Sequence, residues 1–285
     1  MKLYLLVNIL LCSVCISSSA WAASPLIVKH YQQQARYEFG IKVLDLALSK
    51  LGDEYKIVGP ETQLVNEGRG ELLVIDGTLD IEFQQTTMQR EASMIPIKIP
   101  LYRGLLGLRL LLIKPELNDK FKKIKSIDDL RQFTGGHGAH WADLPVYAAN
   151  DLKVTTSVQY RNLFKMLKRG RFDYFHRGVN EIWGELDRYE NDFIVADNIM
   201  LFYPQPVYFF VGMHRPELAK KIEEGLRIAL ADGSFQALFK AYFHKTISLS
   251  NFASRKLIVL KNPVFTSDMP IDTSWWMPQD KWPKY

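Results

Sequence analysis

The chain has 285 residues, of which 47% are hydrophobic, 24% charged and 12% aromatic. That is ordinary globular composition, and it excludes a disordered chain, a collagen-like repeat and a multi-span membrane protein. Lys and Arg exceed Asp and Glu by five, but no basic stripe follows that mild excess, so no nucleic-acid partner is expected.

The first element reads as an export signal. Lys2 gives the positive start, Leu3–Ile16 form a mostly apolar stretch, and Ser17-Ser18-Ser19 lead into Ala20-Trp21-Ala22, a small-x-small cleavage pattern. The stretch is shorter than the ~20 residues that span a bilayer. Residues 1–22 are therefore expected to be a signal peptide, cut after Ala22 to release a soluble periplasmic product. Both cysteines, Cys12 and Cys15, fall inside it, and Val14 before Cys15 does not suit lipid attachment. The product then has no disulfide, thiolate metal site or Cys nucleophile, and its formal charge drops from +5 to +4 with the loss of Lys2.

Next, Leu26–Tyr31 reads as a strand. Tyr37, Ile41, Leu44, Leu48 and Leu51 recur at helical spacing, and Gly52 stops that helix. A strand at Tyr55–Val58, a helix from Glu61 to Leu73 and a strand at Ile81–Phe83 complete the alternation of an open α/β sheet. Ile95–Ile113 is almost wholly apolar, yet Arg103, Arg109 and its prolines and glycines argue against a membrane span and for long buried strands. A second α/β unit opens at Ser126–Leu130, where Ser126 and Asp129 have capping-box spacing. Gly135–Asp143 reads as a glycine-rich loop leading into a helix, and Val154-Thr155 as a strand. A helix at 158–169, a strand at Phe172–Phe175 and a helix at Val179–Tyr189 follow. Val207–Val211 is a second extended run. Pro216 opens a helix with the stripe Leu218, Ile222, Leu226 and Leu230, and Phe235, Leu238, Phe239 and Tyr242 mark another. Lys256–Leu260 reads as a strand before an aromatic, proline-rich tail with Trp275, Trp276 and Trp282.

One α/β unit is thus interrupted by a second, joined through extended segments near residues 100–112 and 203–212. The expected architecture is a two-lobed α/β fold with two hinge crossings. Residues 24–102 and 208–285 make lobe 1, and residues 103–207 make lobe 2. Hinged lobes close on a ligand.

Three motifs add to this plan. Gly77-Thr78-Leu79-Asp80 precedes Thr86-Thr87-Met88-Gln89-Arg90; Ser126–Leu130 precedes Gly138-Ala139-His140-Trp141-Ala142-Asp143; and Lys168-Arg169-Gly170-Arg171-Phe172-Asp173 stands third. With them, nearly the whole chain after residue 22 resembles the bacterial periplasmic solute-binding proteins of the polar-amino-acid type (family 3). Pro96–Arg109 and Ile258–Pro263 resemble a little-described subgroup of them. The resemblance implies a periplasmic-binding-protein-like (type II) fold, a carboxylate of the ligand on Thr87 and Arg90, and backbone amides of the Gly138–His140 region on the same carboxylate. It also implies an ABC permease or a membrane sensor as partner, a monomer, and no cofactor. One departure stands out. The family places an Asp or Glu about five residues after Asp173 to hold an amine, where this chain reads Tyr174-Phe175-His176-Arg177-Gly178.

The candidate ligand-binding residues are therefore Tyr31, Thr87, Arg90, Gly138, Ala139, His140, Trp141 and Arg177. A guanidinium fork suits a carboxylate. If Arg90 and Arg177 face one cleft, the expected solute is a small anion, with two acidic groups. The plainer readings are a surface ion pair for Arg90, a helix-flanking charge for Arg177, a tight turn at Gly138 and core packing for Trp141 and Tyr31. The six histidines show no metal-ligand pairing on a helix face, so no metal is expected. No Gly-x-Ser-x-Gly or mature Cys offers a nucleophile, and no catalytic residue is assigned. The enzyme alternative is a periplasmic dehydratase acting on a cyclic carboxylic acid, for which Glu181 and Glu185 would share a helix face.

Overall fold

The computed structural model describes residues 24–33, 37–60, 65, 67–141, 143–189 and 192–264. The export signal and the Trp275, Trp276 and Trp282 tail lie outside the described residues. In chain order the strands and helices are β1 (Leu26–Lys29), α1 (Glu38–Ser49), β2 (Tyr55–Val58), α2 (Glu67–Ile75), β3 (Ile81–Gln85), α3 (Met88–Ser93), β4 (Ile95–Ile97) and β5 (Leu108–Ile113). Then come α4 (Asn118–Phe121), α5 (Ile127–Leu130), β6 (Gly135–Gly138), α6 (Leu144–Ala149), β7 (Val154–Ser157), α7 (Tyr160–Lys168), β8 (Tyr174–Gly178) and α8 (Ile182–Leu186). The last are β9 (Ile194–Val195), β10 (Ile199–Phe202), β11 (Val207–Val211), α9 (Pro216–Ala231), α10 (Ser234–Ser250) and β12 (Lys256–Val259).

In the first lobe, β11 lies between β3 and β4, antiparallel to both, and β1 pairs in parallel with β2. The Gln32 side chain links the two pieces, donating to the Phe83 carbonyl at 2.8 Å and accepting from the Phe83 N–H at 2.9 Å. Helix α9 begins with its proline in the first turn and buries Leu218, Ile222, Gly225 and Leu226. It crosses α1 so closely that a Cβ on Gly225 would stand 2.0 Å from the Ala47 carbonyl oxygen. Only glycine fits there.

The second lobe is built on a larger sheet in the order β12-β10-β5-β8-β6-β7, with β9 also on β5. Its central strand β5 is buried along its whole length, as the continuous apolar run requires. Ser126 and Asp129 form the expected capping box on α5. The expected glycine-rich loop is different. Gly135–Gly138 is the buried strand β6, parallel to β7 and β8, and the next helix starts only at Leu144. The missing side chains make room for rings: Phe172 lies against Gly136 and the Trp141 indole against Gly138.

At the two expected crossings, residues 203–206 lead from β10 to β11 without regular structure, but the link from β4 to β5, expected to be extended, is a run of turns at 101–104 and a 3-10 turn at Leu105–Gly107, with Arg103 and Gly104 at positive φ. The chain then makes a third passage. Residues 208–285 were expected wholly in the first lobe, but β12 pairs in parallel with β10 at the edge of the larger sheet. Arg255 anchors that return by donating to the Ser250 carbonyl at 2.6 Å and to the Ala196 carbonyl. Among the described residues no helix is long and apolar enough to cross a membrane.

Candidate functional site

A cleft of about 630 Å³ lies between the lobes, the size of a small-molecule site. Tyr37, Phe83, Gln84 and Arg90 form its first wall; Arg109, His140, Trp141, Tyr160, His176, Arg177 and Glu181 form its second; Tyr102, Leu106, Gln205 and Val207 come from the crossings and their edges.

Arg90 sits in the short helix α3, whose first turn Thr87 caps by accepting the Arg90 N–H at 3.1 Å. Its guanidinium donates to the Gln85 carbonyl at 2.8 Å, pairs with Glu71 at 3.0 Å and lies 3.8 Å from Glu82. Glu82 is fully enclosed, accepts the Tyr31 hydroxyl at 2.8 Å, and is pushed up by burial to about 7, against the pull of Tyr31 and Arg90.

The second wall is built from neighbouring strands. In the β5–β8 ladder Arg109 stands opposite Gly178 and Leu110 opposite Arg177. Arg177 donates through Nε to Glu185 at 2.8 Å, and its Nη2 forms ion pairs with Glu185 at 2.8 Å and Glu181 at 3.1 Å. Its cation also lies over the Trp141 ring, 4.9 Å from the centroid, a favourable placement when desolvated. Arg109 donates to the Tyr203 hydroxyl at 2.6 Å, the Gln205 side-chain oxygen at 2.6 Å and Asp143 at 3.1 Å. Tyr203 donates in turn to Asp143 at 2.5 Å. Burial would push the Asp143 carboxyl up, but His137 and Arg109 beside it outweigh that and hold it well below the usual carboxylate range. Behind this network His176 stacks on Tyr147 with centroids 4.1 Å apart, and burial drives its imidazole well below its ordinary pKa, so it is neutral.

Of the expected residues, Arg90, His140, Trp141 and Arg177 line the cleft. Four do not. Tyr31 is buried against Gly70 and bonded to Glu82. Thr87 caps its helix and borders a separate crevice. Gly138 is inside β6, and the Ala139 N–H is taken by the Ser157 carbonyl at 3.0 Å. The arginines also differ from expectation, since both already hold carboxylates. Glu181 and Glu185, offered for dehydratase chemistry, serve as the counter-ions of Arg177 rather than as a free acid–base pair. The residue that sequence reasoning missed is Arg109. Its signal was present: a lone arginine inside the run Leu105–Ile113 costs too much to bury unless it is paired. Among the described residues no group of three or more His, Cys, Asp or Glu is placed to hold a metal ion.

No family model and no curated protein matches the chain. Solved structures do. A Bacillus subtilis protein, YckB, is similar at 16% identity and a TM-score of 0.56, over 83% of this chain and 97% of its own. A binding component of an ABC transporter from Wolinella succinogenes, complexed with lysine, is similar at 14% identity and 0.53, over 76% and 94%. An ancestral arginine-binding protein bound to arginine is similar at 18% identity and 0.52, over 78% and 99%. At these identities the likeness is one of fold, and the two-lobed α/β fold implied by the motif resemblance is the fold of this chain.

Proposed function

We propose that this protein binds a small carboxylate-bearing solute by closing its two lobes on it, and that it does so in the periplasm for uptake through an ABC permease or for sensing. The observation that supports this is a cleft between lobes whose two walls both carry arginine and aromatic side chains. The binding proteins of like fold, which carry arginine and lysine, agree with it. The charge balance shapes the ligand. Three arginines in the lining stand against Glu67, Asp143, Glu181 and Glu185. Two uncompensated cations facing each other would call for a dianion. A lining with one carboxylate in excess suits a solute whose carboxylate is balanced by a positive group.

Closure follows from differential affinity, because a solute that touches both walls makes its full contacts only in the closed state. The test is a thermal-shift screen followed by calorimetry on the purified protein, with L-amino acids, dicarboxylates and decarboxylated amines. Zwitterionic or cationic amino acids should bind best. Preference for dicarboxylates would sink the charge argument, and turnover of a cyclic acid would replace binding with the dehydratase reading.

A further inference from the structure

We infer that the second wall holds a carboxylate seat at Gly178 which Glu181 occupies in the structure and which the solute's carboxylate takes over. This rests on the cleft being a solute site. Glu181 Oε2 accepts from the Gly178 N–H at 3.3 Å and is ion-paired with Arg177 Nη2 at 3.1 Å. The same spot is bounded by a second guanidinium, since a Cβ on Gly178 would stand 2.9 Å from Arg109 Nη1 and 3.0 Å from Glu181 Oε2. Glycine at 178 is what lets a carboxylate and two arginines meet.

Both arginines are more than nine-tenths buried. Neither Arg109 Nη1 nor Arg177 Nη1 makes a hydrogen bond among the described residues. The seat therefore has donors to spare, whereas on Arg90 of the first wall both terminal nitrogens are taken, by the Gln85 carbonyl and Glu71, and the unbonded Nε is buried 3.8 Å from the enclosed Glu82. The solute's carboxylate belongs on the second wall, opposite to the placement that the Thr87–Arg90 motif implied.

Of the acids on this wall, Glu181 is the one that can leave. Its side chain is 43% exposed, against 7% for Glu185 and 11% for Asp143. It makes no capping bond for α8, and an ion pair with one half-exposed partner is a weaker tether than an enclosed one. Exchange of Glu181 for the solute's carboxylate keeps Arg177 and Arg109 neutralised throughout. A second acidic group on the solute would find no such seat.

Acetate is the minimal probe. In Glu181→Ala, about 100 mM sodium acetate should raise the unfolding midpoint by about 2 °C or more over equal sodium chloride. Wild type should respond equally to the two salts. An equal response of Glu181→Ala to both salts overturns the seat. The isosteric Glu181→Gln gives the second arm, read by calorimetry. L-arginine should bind it about two- to fivefold more tightly than it binds wild type, and agmatine, which lacks the carboxylate, should not gain. Weakening of both ligands would make Glu181 a counter-ion for the ligand's positive group, and the seat would be wrong. If wild type binds no carboxylate-bearing solute, the proposed function fails, and the acetate comparison still decides the seat.

Discussion

Arg90 on the first wall and Arg109 on the second are both paired with carboxylates, but they sit in different mechanical settings. Every partner of Arg90 belongs to its own lobe: Glu71 in α2, and Glu82 and Gln85 in β3. Arg109 is the second residue of the central strand of the larger sheet and reaches across to Tyr203 and Gln205, in the segment that leads from β10 to β11. It therefore ties one crossing to the other. Loss of Arg90 would disturb a wall, while loss of Arg109 would disturb the segments that join the lobes.

The largest expected effect tests that difference. Arg109→Ala leaves Asp143 buried without its guanidinium and releases both Tyr203 and Gln205. Removing one partner of a buried pair costs about 3–5 kcal/mol, and urea unfolding should show a loss of that size. Arg90→Ala should cost less, because its side chain is twice as exposed, 20% against 10%. Equal losses would mean that the crossings draw nothing from Arg109.

Arg177 comes next. Its replacement by Ala should weaken a carboxylate-bearing solute about tenfold to a hundredfold, the worth of a charged hydrogen bond of about 1.5–3 kcal/mol. Calorimetry beside Arg90→Ala sharpens the comparison between the walls. If Arg90→Ala weakens a carboxylate-bearing solute more than Arg177→Ala does, the carboxylate lies on the first wall after all.

What could be read from the sequence divides along contact range. The Ser126–Asp129 capping box and the α9 stripe after Pro216 are local patterns, and both are present. Strand β12 was legible as a strand, but its partner β10 was not, because parallel pairing depends on where the chain has been carried. Gly135–Gly138 looked like a loop because glycine favours turns. The rings that fill its empty positions come from Phe172 and Trp141, and no local pattern announces them. The site shows the same limit. Arg90, Trp141 and Arg177 were found as cleft residues by motif and topology. Their charge state in the folded protein was not, since Glu185 lies 8 residues from Arg177, Glu71 19 from Arg90, and Asp143 34 from Arg109.

A pH series reads the first lobe in another way. Burial raises Glu82 from 4.5 to about 7, so the folded state holds that proton more tightly than the unfolded chain. Stability from this group is full below about 4.5 and is lost as pH rises through about 7. His30, also in the first lobe, has the opposite sign. Burial lowers it to about 4, so its contribution is full above about 6.5 and is lost as pH falls through about 4. Glu82→Gln should therefore gain stability relative to wild type between pH 5 and pH 8, measured as urea midpoints. A difference that stays constant over that range would show that Glu82 does not titrate there.

The smallest effect bears on the motif that first drew attention to the cleft. Thr87 and Arg90 look like a ligand clamp in the sequence, but the Thr87 hydroxyl accepts the Arg90 N–H, and Thr87 is not among the residues that line the main cleft. As a cap, its loss in Thr87→Ala should cost about 1 kcal/mol of stability, with solute affinity kept within about twofold of wild type. As a ligand contact, it would cost about tenfold in affinity, from a lost hydrogen bond to a charged group. Unfolding and calorimetry on the same variant read the two quantities separately. A stability loss with unchanged affinity makes Thr87 part of the frame that holds the first wall. A tenfold loss of affinity would return the carboxylate to Thr87 and Arg90 and reverse the polarity of the cleft.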